Sequence, residues 1–103
     1  MITIIPVDKQ SSEVIFESEQ FKARRLEVAP GQRVPLHYHS QCIDLIFPVS
    51  GIALLHTETE SVELTKKSFY LVDVKKKHSI ENIGGEPFCY LLFQSGSYDF
   101  VRC

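Results

Sequence analysis

The chain has 103 residues, 44% of them hydrophobic, and a formal net charge of -2. That is the size of one domain, residues 1–103, with enough apolar content for a packed core. Its charge gives no reason to expect nucleic acid or a membrane surface as a partner, and no apolar run is long enough to span a bilayer.

The N-terminus lacks the basic, apolar and small-residue series of a signal peptide, so a cytoplasmic protein is expected. Cys42, Cys89 and Cys103 are odd in number and unpatterned in spacing, which argues against a disulfide framework. The first two sit among apolar residues and read as buried thiols; Cys103 reads as exposed.

In chain order, Phe21–Ala29 reads as a strand ended by the turn signal Pro30-Gly31. Val34–His39 is the next strand. Ile43–Val49 follows and closes at Ser50-Gly51, with Ile52–Thr57 beyond that turn. Val62–Leu64, Ser68–Val74, His78–Ile83 and Phe88–Phe93 complete the series, and Gly84-Gly85 reads as the clearest hairpin turn among them. No window holds a 3.6-residue apolar period for three turns. Many short strands at intervals of eight to twelve residues predict an antiparallel sandwich or small barrel.

His37 and His39 stand at i and i+2, the spacing that projects two side chains from one face of a strand. Asp44 follows them, and His78 opens a later strand on which Ile80 and Asn82 share its face. Three imidazoles and a carboxylate suit one divalent transition metal (iron, manganese, nickel, cobalt or zinc) without choosing among them. With only three or four protein ligands, such a metal keeps positions open for a substrate.

These residues carry a specific pattern. Gly31, His37, His39 and Gly51 stand at the intervals of the first cupin signature, with Asp44 where that family has Glu. His78 and Asn82 match the last two positions of the second signature, where Lys67, Asp73 and Lys75 replace its Gly, Pro and Gly. The chain therefore resembles the cupin superfamily, over residues 31 to 82. The resemblance implies a jelly-roll β-barrel with a metal near its wider mouth, held by His37, His39, Asp44 and His78. Asp44 is one methylene shorter than Glu, about 1.5 Å less reach. A three-histidine site with Asp44 orienting a ligand from outside is the alternative.

Further expectations concern the surroundings. Arg24 shares a face with Leu26 and Val28, which would bring a guanidinium into the cavity to grip a carboxylate or phosphate. Tyr38 and Asn82 are further substrate-pocket candidates. Lys75-Lys76-Lys77 reads either as a solvated turn or as an electropositive rim for an anionic ligand. His56 reads as outward-facing and outside the site. Ile52 and Leu54, with Leu45 and Phe47, present an apolar outer face on what read as two neighbouring strands. It predicts a homodimer interface, as cupins commonly pair this way, unless Met1–Val7 covers it. No phosphate loop, Cys-x-x-Cys pair, nucleophile elbow or paired carboxylates are present.

Two functions follow from the resemblance. One is a metal-dependent enzyme of dioxygenase, isomerase or lyase type acting on a small anionic metabolite. The other is a ligand-sensing module without turnover, since residues 37 to 51 also look like the sensor domain of arabinose-operon-type transcription regulators.

Overall fold

A computed structural model of the chain describes residues 2–4 and 13–103. Ten strands and no helix are found among them: β1 (Glu13–Glu17), β2 (Phe21–Val28), β3 (His37–Tyr38), β4 (Cys42–Ser50), β5 (Ala53–Thr57), β6 (Ser61–Leu64), β7 (Tyr70–Val72), β8 (His78–Asn82), β9 (Phe88–Gly96) and β10 (Val101–Arg102). They form two five-stranded antiparallel sheets, ordered β1-β2-β9-β4-β7 and β10-β3-β8-β5-β6. This is the all-β jelly-roll architecture that the sequence predicts.

Alternation drives the packing. Along β4 the side chains of Cys42, Asp44, Ile46 and Pro48 are buried, while Ile43, Leu45 and Phe47 face outward and are half-covered. The core between the sheets is built from such inward sets, including Ile46, Ala53, Ile80, Phe88 and Leu92. Cys42 and Cys89 are buried and Cys103 is exposed, all three as free thiols.

Several expectations change. The predicted strand Val34–His39 shrinks to two paired residues, because Pro35 has no N–H to give a ladder. Gly84-Gly85 is not a hairpin turn: β8 and β9 belong to different sheets, so this turn crosses between the layers. The same holds at Gly51, which carries the chain from β4 to β5. There φ is +92°, and a Cβ would meet the Pro87 carbonyl oxygen at 2.6 Å, so the position admits only glycine.

That crossing splits the predicted apolar face. Leu45 and Phe47 lie outside one sheet, and Leu54 lies outside the other, so these residues do not form one continuous face. On the first sheet, however, register aligns Phe16, Ala23, Phe93, Leu45 and Leu71 in one row across all five strands. Of the Met1–Val7 segment only residues 2–4 are described; Ile2 and Ile4 are exposed and cover nothing, and the rest lies outside the described residues.

Candidate metal centre

The two sheets contribute different halves of the site. On the second sheet, His37 and His78 are directly paired across β3 and β8, so both rings leave the same face. His39 follows β3 and shares the face of His37. Asp44 comes from β4 in the opposite sheet, not from a strand adjacent to β3, and meets the three rings across the interior. All four residues are buried, and their ligand atoms lie within 4.8 Å of one another. Asp44 Oδ2 is 3.2 Å from both His39 Nε2 and His78 Nε2.

Each ring is held from behind. Nδ1 of His37 faces the Pro35 carbonyl at 2.7 Å, that of His78 faces the Lys76 carbonyl at 2.8 Å, and that of His39 faces the Asp99 carbonyl. A carbonyl only accepts, so each Nδ1 carries a proton and each ring, when neutral, directs an Nε2 lone pair into the site. Two of these lone pairs point at a carboxylate oxygen. That arrangement is repulsive unless a cation, a proton or a metal ion, lies between them. The donor set therefore fits a divalent transition metal, with the outer hydrogen bonds fixing tautomer and orientation.

Electrostatics follow the same geometry. Burial would raise the Asp44 carboxyl, but hydrogen bonds from His39, His78 and Gln94 hold it well below the usual carboxylate range. Burial also disfavours charge on His39. There the bonds to Asp44 and to the Asp99 carbonyl prevail, and its pKa stands above the ordinary value. His37, which has no hydrogen bond with Asp44, is lowered by burial to about 4 despite the Pro35 carbonyl.

A strap formed by the last residues completes the site. Val101 and Arg102 in β10 pair with Tyr38 and His37, and Cys103 N–H donates to the Leu36 carbonyl. Between β9 and β10, the Asp99 carboxylate accepts from both the N–H and the hydroxyl of Ser40. Phe100 stacks on His37, with ring centroids 4.3 Å apart and planes at 15°, and Tyr98 lies 5.5 Å from His39. The cavity they border has a volume of about 220 Å³. That is roughly seven times the ~30 Å³ occupied by one water, room for a small metabolite.

Arg24 lines this cavity, as do Tyr90, Gln94, Tyr98 and Phe100. Tyr38 and Asn82 do not, which corrects their assignment to the substrate pocket. Tyr38 alternates away from the two histidines and faces outward. Asn82 is saturated by structural bonds: its amide donates to the carbonyls of Val28 and Glu86, and its oxygen accepts from Gly84 N–H. The three lysines do not line the cavity either; their backbone serves it instead. Lys76 anchors His78, and Lys75 N–H donates to the His39 carbonyl at 2.7 Å. His56 lies outside the cavity, between Ser61 and Glu81.

Sequence reasoning missed Gln94, Tyr98, Asp99 and Phe100. For Gln94 a signal existed: it continues the inward series Phe88, Tyr90, Leu92 of β9 as a polar residue among apolar ones. The other three carried none.

Comparison with known proteins places this arrangement. The chain matches the family described as mannose-6-phosphate isomerase C-terminal over residues 8–101. It belongs to that family, and so to the cupins. This cupin is 32% identical over 95 residues to a putative mannose-1-phosphate guanylyltransferase of Vibrio cholerae, covering 88% of the chain and 20% of that protein. It is 31% identical over 62 residues to the tetracenomycin polyketide synthase protein TcmJ of Streptomyces glaucescens, covering 60% of the chain and 42% of that protein. The chain thus spans a fifth of one curated relative and less than half of the other. Among solved structures, a double-stranded β-helix protein from Klebsiella pneumoniae superposes with a TM-score of 0.82 at 20% identity, over 96% of this chain and 90% of that one. Oxalate decarboxylase of Lactobacillus farciminis, solved as a formate complex, gives 0.72 at 21% identity, over 82% and 27%. At such identities these structures bear on the fold alone. Among the described residues no helix is long and apolar enough to cross a membrane.

Proposed function

We propose that this cupin is a metal-dependent enzyme, of dioxygenase, isomerase or lyase type, acting on a small anionic molecule. One divalent transition metal is held by His37, His39, Asp44 and His78. The observation that carries this reading is the anchoring of all three Nδ1 atoms to backbone carbonyls, which leaves three Nε2 lone pairs converging beside Asp44. The isomerase in the name of the matched family agrees with a catalytic role.

When bound, the metal supplies Lewis-acid polarisation or redox activation of a ligand. The chain's own residues do the remaining work. Arg24 offers a guanidinium for the ligand's negative charge. Phe100 and Tyr98 line the cavity beside His37 and His39 and cover part of the two rings. Tyr90 presents a phenol that burial keeps protonated.

Elemental analysis of protein purified without an affinity tag or chelator tests the proposal, with about one transition metal per chain expected. Protein that arrives metal-free and also refuses added iron, manganese, nickel, cobalt and zinc would remove it. Protein that holds metal and binds small anions, but converts none of them with or without oxygen, would be a binding module instead.

A further inference from the structure

Two polar atoms in the cavity wall are buried with no hydrogen-bond partner among the described residues: Gln94 Oε1 and Arg24 Nε. Gln94 is only 1% exposed. It stands directly opposite Asp44 across β4 and β9, and its Nε2 donates to Asp44 Oδ1 at 3.0 Å. That bond fixes the amide. An ionised carboxylate only accepts, so the NH₂ group must face Asp44 and the oxygen must face away from it. The amide cannot flip to satisfy itself, and Oε1 remains an acceptor awaiting a donor.

Arg24 lies on the neighbouring strand β2. Its Cα partner on β9 is Leu92, two residues from Gln94, and both Arg24 and Gln94 line the same cavity. Diagonal neighbours of this kind stand roughly 7–8 Å apart at Cα, a gap that a small ligand can bridge. A buried acceptor and a buried donor left unpaired are costly features that proteins seldom retain without a partner.

We infer that Gln94 and Arg24 form a recognition pair for a small hydroxycarboxylate, whose carboxylate meets the Arg24 guanidinium and whose hydroxyl donates to Gln94 Oε1. The inference rests on the metal-dependent reading of the same cavity and specifies its ligand. A carboxylate without a hydroxyl leaves Oε1 unpaired. A neutral polyol leaves the guanidinium unmatched. A phosphate ester is larger and presents three terminal oxygens, where the pair offers one planar guanidinium and one acceptor.

Titration calorimetry of the metal-loaded protein with glycerate, propionate, glycerol and glycerol 3-phosphate tests this. Glycerate is expected to bind at least tenfold more tightly than any of the other three. Arg24→Met should weaken glycerate at least tenfold with metal content unchanged. Gln94→Met should erase the preference for glycerate over propionate, with its metal content measured alongside because Gln94 touches Asp44. Equal binding of glycerate and propionate by the wild-type protein overturns the pair, as does a preference for glycerol 3-phosphate or for glycerol. So does a glycerate preference that survives Gln94→Met, or one indifferent to Arg24→Met. If such a failure comes from protein holding one metal per chain, only the pair falls. Protein without metal sinks the enzyme reading, whatever it binds.

Discussion

Asp44 decides the character of the centre, because it is the anion on which two imidazoles converge. Removing it would leave a cation held by three neutral imidazoles with no anionic ligand. Asp44→Ala is therefore expected to lower metal affinity at least tenfold, read by competition with a chromogenic chelator. Asp44→Glu restores the usual cupin carboxylate and should keep the metal, while the added methylene in a packed interior costs about 1–3 kcal/mol of stability. Occupancy unchanged in Asp44→Ala would move Asp44 outside the ligand set. His39 adds a pH signature. In metal-free protein its pKa is raised, so its contribution to stability is full below the unfolded value of about 6.5 and is lost as pH rises through the folded one. Metal binding displaces that proton and so strengthens with pH over the same window. The gap in melting temperature between metal-loaded and metal-free protein should widen as pH rises from about 6. A gap independent of pH would show that the His39 proton does not compete with the metal.

At the scale of elements, two connections hold the histidines. The strap between β9 and β10 fastens His39 through Asp99, whose backbone carbonyl faces the ring while its carboxylate grips Ser40. Asp99→Ala should loosen the strap and reduce metal affinity by roughly 10-fold without unfolding the barrel, the scale seen when groups behind a ligand are removed. Unaltered affinity would make the grip on Ser40 irrelevant to the centre. The turn between β7 and β8 holds His78. In it Lys75 has φ 62°, a left-handed conformation that disfavours side chains, at the position where the cupin signature carries glycine. Lys75→Gly relieves that strain but frees the unfolded chain. The net expectation is a gain of up to about 1 kcal/mol in chemical denaturation, and a clear loss would show that the lysine side chain contributes what the strain removes.

For the whole molecule, the row from Phe16 to Leu71 is the feature that calls for a partner. Leu71 is 64% exposed and Phe69, whose ring lies 4.8 Å from that of Phe47, is 61% exposed. Each large apolar side chain taken from water contributes roughly 1.5–3 kcal/mol, and a two-fold interface buries the same set twice. We expect a homodimer through the outer face of the β1-β2-β9-β4-β7 sheet. Sedimentation at micromolar concentration should show it, and Leu71→Asp with Phe69→Asp should yield a monomer with its metal intact. A wild-type protein that stays monomeric at high concentration would refute the interface.

What the sequence determined by itself was local. A period of two marks Ala53, Leu55 and Thr57 as one face and His37 with His39 as another, because alternation is a property of each strand alone. Pairs of glycine, proline and serine mark where strands stop, because the conformations of tight turns are set by these residues alone. Which sheet receives each strand was not local. Leu45 and Leu54 read as neighbours because the chain between them is short, yet a crossing turn put them on opposite outer faces. Pairing partners such as Asp44 with Gln94, or His37 with His78, lie tens of residues apart, and only the closing of two sheets over one core selects them. The Asp99 carbonyl behind His39, the strap that carries it and the two unpaired atoms of Gln94 and Arg24 follow from that closure. The Pro35 and Lys76 carbonyls lie only two residues from the rings they face, but no side-chain pattern marks a backbone group, so the sequence gives no sign of them.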